Sequence, residues 1–151
     1  DVLATRERGT LAHDVVAMRR EVALHKPPQG LLDIKLGAGG LVDLEFAVHF
    51  HQLANRCGFD PDLRHAIAML SKRDLVTPGL GTAHDLLTRL LVTLRLVAPD
   101  FTGLEDASRK VVARACRAAD WDDLIAQLDA ARQEVTAAWS AVVAQAAGEP
   151  Q

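Results

Sequence analysis

Tyrosine is absent from this 151-residue chain, and four phenylalanines and two tryptophans are its only aromatics. Cysteine is nearly absent too. Cys57 and Cys116 stand far apart with no paired spacing, which fits reduced, structural thiols better than a zinc or disulfide framework. Positive charge is not in excess: 17 Lys and Arg face 20 Asp and Glu, for a net charge of −3. That balance excludes a molecule-wide footprint for nucleic acid. No apolar run reaches the roughly 18 residues that a membrane span needs, and the N-terminus lacks the shape of a signal peptide. A soluble, cytoplasmic protein with no membrane partner is therefore expected. The chain opens on Asp1 rather than Met, so we expect a piece of a longer polypeptide.

Alternating patterns are also missing, whereas apolar residues recur at helical spacing throughout. The expected fold is all-α: a single helical domain over residues 1–151, a bundle of about five to seven helices. A first helix, capped by Thr10, carries Leu11, Val15, Met18 and Val22 until Pro27 and Pro28 stop it. A second, from Leu41 to Arg56, has a wide stripe that includes Leu44, Val48, Phe46, Phe50 and Leu53, which predicts a central place; Gly58 ends it. Asp60-Pro61 opens a third helix that closes near Asp74, and residues 77–81 form a loop. Thr82 caps a fourth, strongly apolar helix that runs to Pro99. Thr102-Gly103-Leu104-Glu105 has capping-box form and starts a fifth through Val111, Val112 and Ala115. Asp120 caps a sixth with Trp121, Leu124, Leu128, Ala131, Val135, Trp139 and Val142 in one stripe, and residues 148–151 fray. Only Leu31 to Leu36 reads as a short extended segment, placed before a glycine turn.

That turn is where chemistry concentrates. Asp33, Lys35, Gly37, Gly39, Gly40, Asp43 and Glu45 fall within 13 consecutive residues at the start of the second helix. The glycines permit positive φ and close approach to another surface. Asp43 and Glu45 occupy the first helical turn, where free N–H groups and the helix dipole favour carboxylates. Two readings stay open: structural capping, and a role toward a metal or substrate. A phosphate loop is excluded, because no Lys-Ser or Lys-Thr follows Gly40 and the G-x-G-x-x-G spacing is missing. His49 and His51 are two apart and face different ways, and His13, His25, His65 and His84 are isolated, so surface or helix-edge positions are expected and no metal site. Arg19, Arg20 and Lys26 read as cations of a last helical turn. Ser71, Ser108 and Ser140 show no nucleophile pattern.

The string Asp33-Ile34-Lys35 … Gly37 … Gly39-Gly40 … Val42-Asp43-Leu44-Glu45-Phe46 resembles the signature of glutamine synthetase adenylyltransferases, whose helical domain type is shared with PII-uridylyltransferases. The resemblance covers about 14 residues. It implies a helical domain that follows a nucleotidyltransferase domain in one chain, with the glycine turn facing the cleft between them. Val42, where the family's N-terminal unit usually has arginine, and the closing segment with Trp139 resemble the C-terminal, adenylylating unit. The implied activity is transfer of AMP from ATP to a tyrosine of glutamine synthetase, with reversal in the full-length enzyme, in the regulation of nitrogen assimilation. ATP and Mg²⁺ would bind the family's glycine-serine and paired-aspartate motif, which this chain lacks. No catalytic or metal-binding residue and no cofactor is therefore expected in it, and the isolated chain is expected to be inactive. Implied partners are the catalytic domain of the same chain, glutamine synthetase and the PII signalling protein. The alternative reading is a non-catalytic regulatory module that binds PII or glutamine.

Overall fold

The computed structural model describes residues 2–99 and 104–148, except the side chain of Leu3. The described residues form six helices and no strand: α1 (Val2–His25), α2 (Leu41–Asn55), α3 (Leu63–Ser71), α4 (Pro78–Val97), α5 (Asp106–Ala115) and α6 (Trp121–Ala147). This is the all-α bundle that the periodicity predicts. None of these helices is long and apolar enough to cross a membrane.

Helix α6 packs against α1, α2, α4 and α5, and α2 packs against α1, α3, α4 and α6. These two helices form the axis of the bundle. Both carry apolar residues on more than one side, and a helix of that kind gains from neighbours on each. Leu44 and Val48 of α2 enter a large core with Leu87, Leu90, Leu124, Leu128 and Val135. Ala47 and Phe50, one step round the same helix, enter a smaller core with Ala12, Val15, Val16 and Val142. Each fully buried leucine contributes roughly 1.5–3 kcal/mol of transfer free energy.

Several helix starts differ from the sequence expectation. Thr10 lies inside α1, where its hydroxyl donates to the Arg6 carbonyl at 3.1 Å. The turns before it are held by tertiary bonds that no local pattern displays: Arg8 donates to Gln145 of α6 at 2.7 Å and to Asn55 of α2 at 3.1 Å. The packed face of α1 is Ala12, Val15, Val16 and Arg19, while Met18 is 59% exposed. Leu53 and Val111, placed in stripes above, are exposed as well. Arg56 takes the left-handed position that ends α2, with φ 50°, and Gly58, two residues on, also has positive φ, at +70°. The cap of α3 is Asp62, which accepts from the His65 amide at 3.1 Å; Asp60 instead accepts from the Asp62 amide.

The expected loop over residues 77–81 is mostly helix, with Pro78 opening α4 and Thr77 at its N-cap in place of Thr82. Gly79 makes room here: a Cβ would come within 2.7 Å of the Glu134 carboxylate, which accepts from the Thr77 hydroxyl at 2.9 Å. Helix α5 begins at Asp106, after Glu105. Thr102 and Gly103 of the expected capping box lie outside the described residues, as do residues 149–151 of the tail. Asp120 caps α6 as its sequence predicts, accepting from the Asp123 amide at 2.8 Å. Leu31–Leu36 winds through turns rather than extending, with the Asp33 amide on the Gly30 carbonyl and the Ile34 amide on that of Leu32.

His51 departs from the expected surface position. It is 7% exposed, its ring meets Phe50 edge-on, and its Nδ1 has no hydrogen-bond partner among the described residues. Burial, followed by the nearby Arg8 charge, lowers its pKa below the ordinary 6.5.

Leu128→Ala should cost about 2–5 kcal/mol in urea unfolding, whereas Met18→Ala should stay within about 0.5 kcal/mol. A large loss at Met18 would contradict the α1 face described above. For His51 the unfolded state binds the proton more tightly, so its contribution is complete above the ordinary histidine pKa and is lost as pH falls through it. His51→Gln should flatten stability between pH 7 and 5 relative to the parent, measured by the same titration at each pH.

Candidate functional site

The glycine turn is built from the inside. Past Pro28 the chain doubles back, and the Asp33 carboxylate gathers it by accepting from the Gln29 and Leu36 amides, each at 2.9 Å. Ile34 is fully buried beneath, and its carbonyl accepts from the Leu41 amide at 3.0 Å; that of Lys35 accepts from Val42 at the same distance. Two amides at the start of α2 are thus used by the turn itself. A free helix N-terminus that could hold phosphate is not what the turn presents.

The glycines serve closeness of chain to chain. Gly39 has φ +69°, and a Cβ there would lie 2.6 Å from the Arg132 carbonyl and 2.8 Å from the Thr136 hydroxyl. Its backbone rests on α6. At Gly37 and Gly40 a Cβ would meet the carbonyls of Asp33 and Ile34 at 2.6 Å. The close approach that the sequence foretold is therefore to the turn's own backbone and to α6.

Asp43 lies at the centre of this arrangement. Arg19 of α1 donates through Nε to its Oδ1 at 2.6 Å, and the Gly39 amide donates to its Oδ2 at 2.8 Å. Arg19 also donates through Nη2 to the Leu36 carbonyl at 3.3 Å. The two side chains are only 11% and 8% exposed. This is a buried ion pair that joins α1, the turn and α2. On the far side, Arg132 of α6 donates to the Leu31 carbonyl, while its Nε is buried without a partner among the described residues. Burial lowers the Arg132 pKa, and Asp129 and Asp33 oppose that shift.

The seven residues singled out in the sequence thus divide by role. Asp33, Asp43 and the three glycines shape the turn, whereas Lys35 and Glu45 are exposed and face outward. Neither of these two acids fits a metal ion: the oxygens of Asp43 are occupied by Arg19 and Gly39, and those of Asp33 by two amides. Among the described residues no three His, Cys, Asp or Glu side chains form a group that could hold one. Arg132 escaped the sequence reading, and Arg19, expected as a last-turn cation, is instead buried about one and a half turns before the end of α1 as the partner of Asp43. For Arg19 a signal existed, since it continues the Ala12, Val15, Val16 face at helical spacing; for Arg132 the stripe of α6 contains none.

Beside the turn, between α1 and α6, lies a cleft of 370 Å³ whose walls include Val16, Ala23, Leu36 and Trp139. Arg19, Arg20 and Asp43 supply its charge.

The family profile described as GlnD PII-uridylyltransferase matches residues 13–143, which include the turn and most of the bundle. Among curated relatives, a bifunctional glutamine synthetase adenylyltransferase/adenylyl-removing enzyme of Brucella suis biovar 1 is 34% identical over 131 residues, 82% of this chain and 13% of the relative. One of the same name from Caulobacter vibrioides is 32% identical over 142 residues, 87% of this chain and 14% of the relative. A third, from Bradyrhizobium diazoefficiens, is 29% identical over 159 residues, 95% of this chain and 16% of the relative. The chain thus spans about one seventh of the length of these relatives. No solved structure matches.

Removing one partner of the ion pair leaves the other charged and buried, so Asp43→Ala should cost about 3–5 kcal/mol in chemical denaturation. The double change Arg19→Met with Asp43→Leu should recover most of that loss; equal losses in single and double variants would mean the pair acts through something other than charge. Gly39→Ala should cost at least about 1 kcal/mol from backbone strain alone.

Proposed function

Since the chain belongs to the GlnD PII-uridylyltransferase family, we propose that it is the C-terminal helical domain of an enzyme that adenylylates and deadenylylates glutamine synthetase. The observation that carries this reading is the match over residues 13–143, together with curated relatives whose names state both activities. In the proposed enzyme a separate nucleotidyltransferase domain of the same chain holds ATP and Mg²⁺ and performs the transfer to a tyrosine hydroxyl. The 151 residues supply a preformed contact surface, and alone they are inactive.

In this reading the turn works by being rigid. Asp33 and the Arg19–Asp43 pair act as positioning groups that hold the backbone of residues 33–43 in one conformation. Lys35 and Glu45 are the charges of the motif left free to meet the neighbouring domain: Lys35 toward a carboxylate or phosphate, Glu45 toward a lysine or arginine. Pre-orientation matters because small misplacements at a transfer site are costly in rate. Asp43 contributes through Arg19 and not by contact with a metal-bound water. Val42 and Trp139 support assignment to the second, adenylylating unit.

In the full-length enzyme, Lys35→Ala and Glu45→Ala should each lower kcat/KM for AMP transfer by about tenfold, equal to about 1.4 kcal/mol, with an unchanged melting temperature. Incorporation of labelled AMP into glutamine synthetase measures this. Unchanged rates in both variants would remove these two residues from the interdomain contact, and transfer by the isolated chain would overturn the domain reading. Saturable binding of PII or glutamine to the isolated chain would favour a regulatory module instead.

A further inference from the structure

We propose that the cleft between α1, the glycine turn and α6 receives an acidic side chain, flanked by apolar residues, from the part of the longer polypeptide outside these 151 residues. The proposal rests on the domain reading above and adds to it a place and a chemistry. Val16, Ala23, Leu36 and Trp139 make the walls apolar. Apolar surface continues outward along the connection from α1 to the turn, where Leu24 and Leu31 are 76% and 84% exposed. A small free acid would leave that surface in water; a polypeptide segment would cover it.

Charge selects the inserted group. The lining holds Arg19, Arg20 and Asp43, one positive charge in excess. Arg19 is nine-tenths buried, and its Nε and Nη2 are committed to Asp43 and Leu36, while Nη1 has no hydrogen bond to any described residue. Arg20, next in sequence, is exposed. An arginine N–H without a partner and a second guanidinium at the rim of an apolar cleft suit a carboxylate, which accepts from both. A lysine or arginine from the occupant would meet that excess charge and be repelled. A cleft of 370 Å³ is small for a partner arriving from solution. A segment of the same polypeptide needs no such area, because tethering supplies effective concentrations on the order of millimolar. Most of the length of the relatives lies outside the matched region, so such a segment is available.

The test uses the intact longer protein with a benzophenone-bearing amino acid at Ala23, an exposed position on the cleft wall. Irradiation followed by mass spectrometry should give an adduct to a peptide outside these 151 residues that contains Asp or Glu. Arg20→Glu should lower the yield of that adduct by about tenfold without shifting the melting temperature. Adducts confined to these 151 residues, adducts to added glutamine synthetase, or a yield indifferent to Arg20→Glu would each overturn the proposal. AMP transfer by the same parent protein is scored separately, so loss of the domain reading and loss of this cleft assignment give different results.

Discussion

Everything about the glycine turn depends on one buried ion pair. Asp43 stands in the first turn of α2, and there a carboxylate normally lies against solvent and interacts with the helix dipole. In this chain α1 covers it, and only the Arg19 guanidinium makes that covering tolerable. A buried pair of this kind adds little net stability compared with apolar packing, yet it is unforgiving of misalignment. It therefore acts as a register device: α1 can lie across α2 in the one position that brings Nε to the carboxylate. The Gly39 amide on the second oxygen extends the same constraint to the tip of the turn.

Arg132 plays a complementary part from α6. By donating to the Leu31 carbonyl it anchors the entrance of the turn, while its own backbone carbonyl forms the floor against which Gly39 lies. The turn is thus held from both sides by arginines on helices that are remote in sequence. Its outward residues, Lys35 and Glu45, project from a backbone with little freedom left. A short signature of glycines and acids is consequently the visible part of a constraint spread over α1, α2 and α6.

Much of this architecture was readable in the sequence because it rests on apolar periodicity and punctuation. The α6 stripe from Trp121 to Val142, the Asp120 cap and the central place of α2 all follow from spacing. What the sequence hid has a common physical origin in groups satisfied from far away. Gly79 looked like a helix breaker, but it clears space for Glu134; Thr10 looked like a helix start, but Arg8 holds the preceding turns to α2 and α6. Asp43 was legible as a first-turn acid, yet Arg19 was read as a last-turn cation, because a count of hydrophobes passes over a charge even where its spacing continues the Ala12, Val15 and Val16 face. The turn's residues were all identified in advance, whereas their division into inward and outward groups required tertiary structure.

The bond from Arg8 to Gln145 joins residues 137 positions apart. Of the six helices α1 leaves the ribosome first and meets α6 last, since at about 5–20 residues per second α6 follows it by several seconds or more. During that interval only α2, through Ala47 and Phe50, is available to its inner face, and the part that Val142 covers stays open. Arg8 and Arg19 on that face keep the waiting helix hydrated where leucines would invite premature association. The same charges that orient α1 in the finished bundle thus protect it while the bundle is still being made.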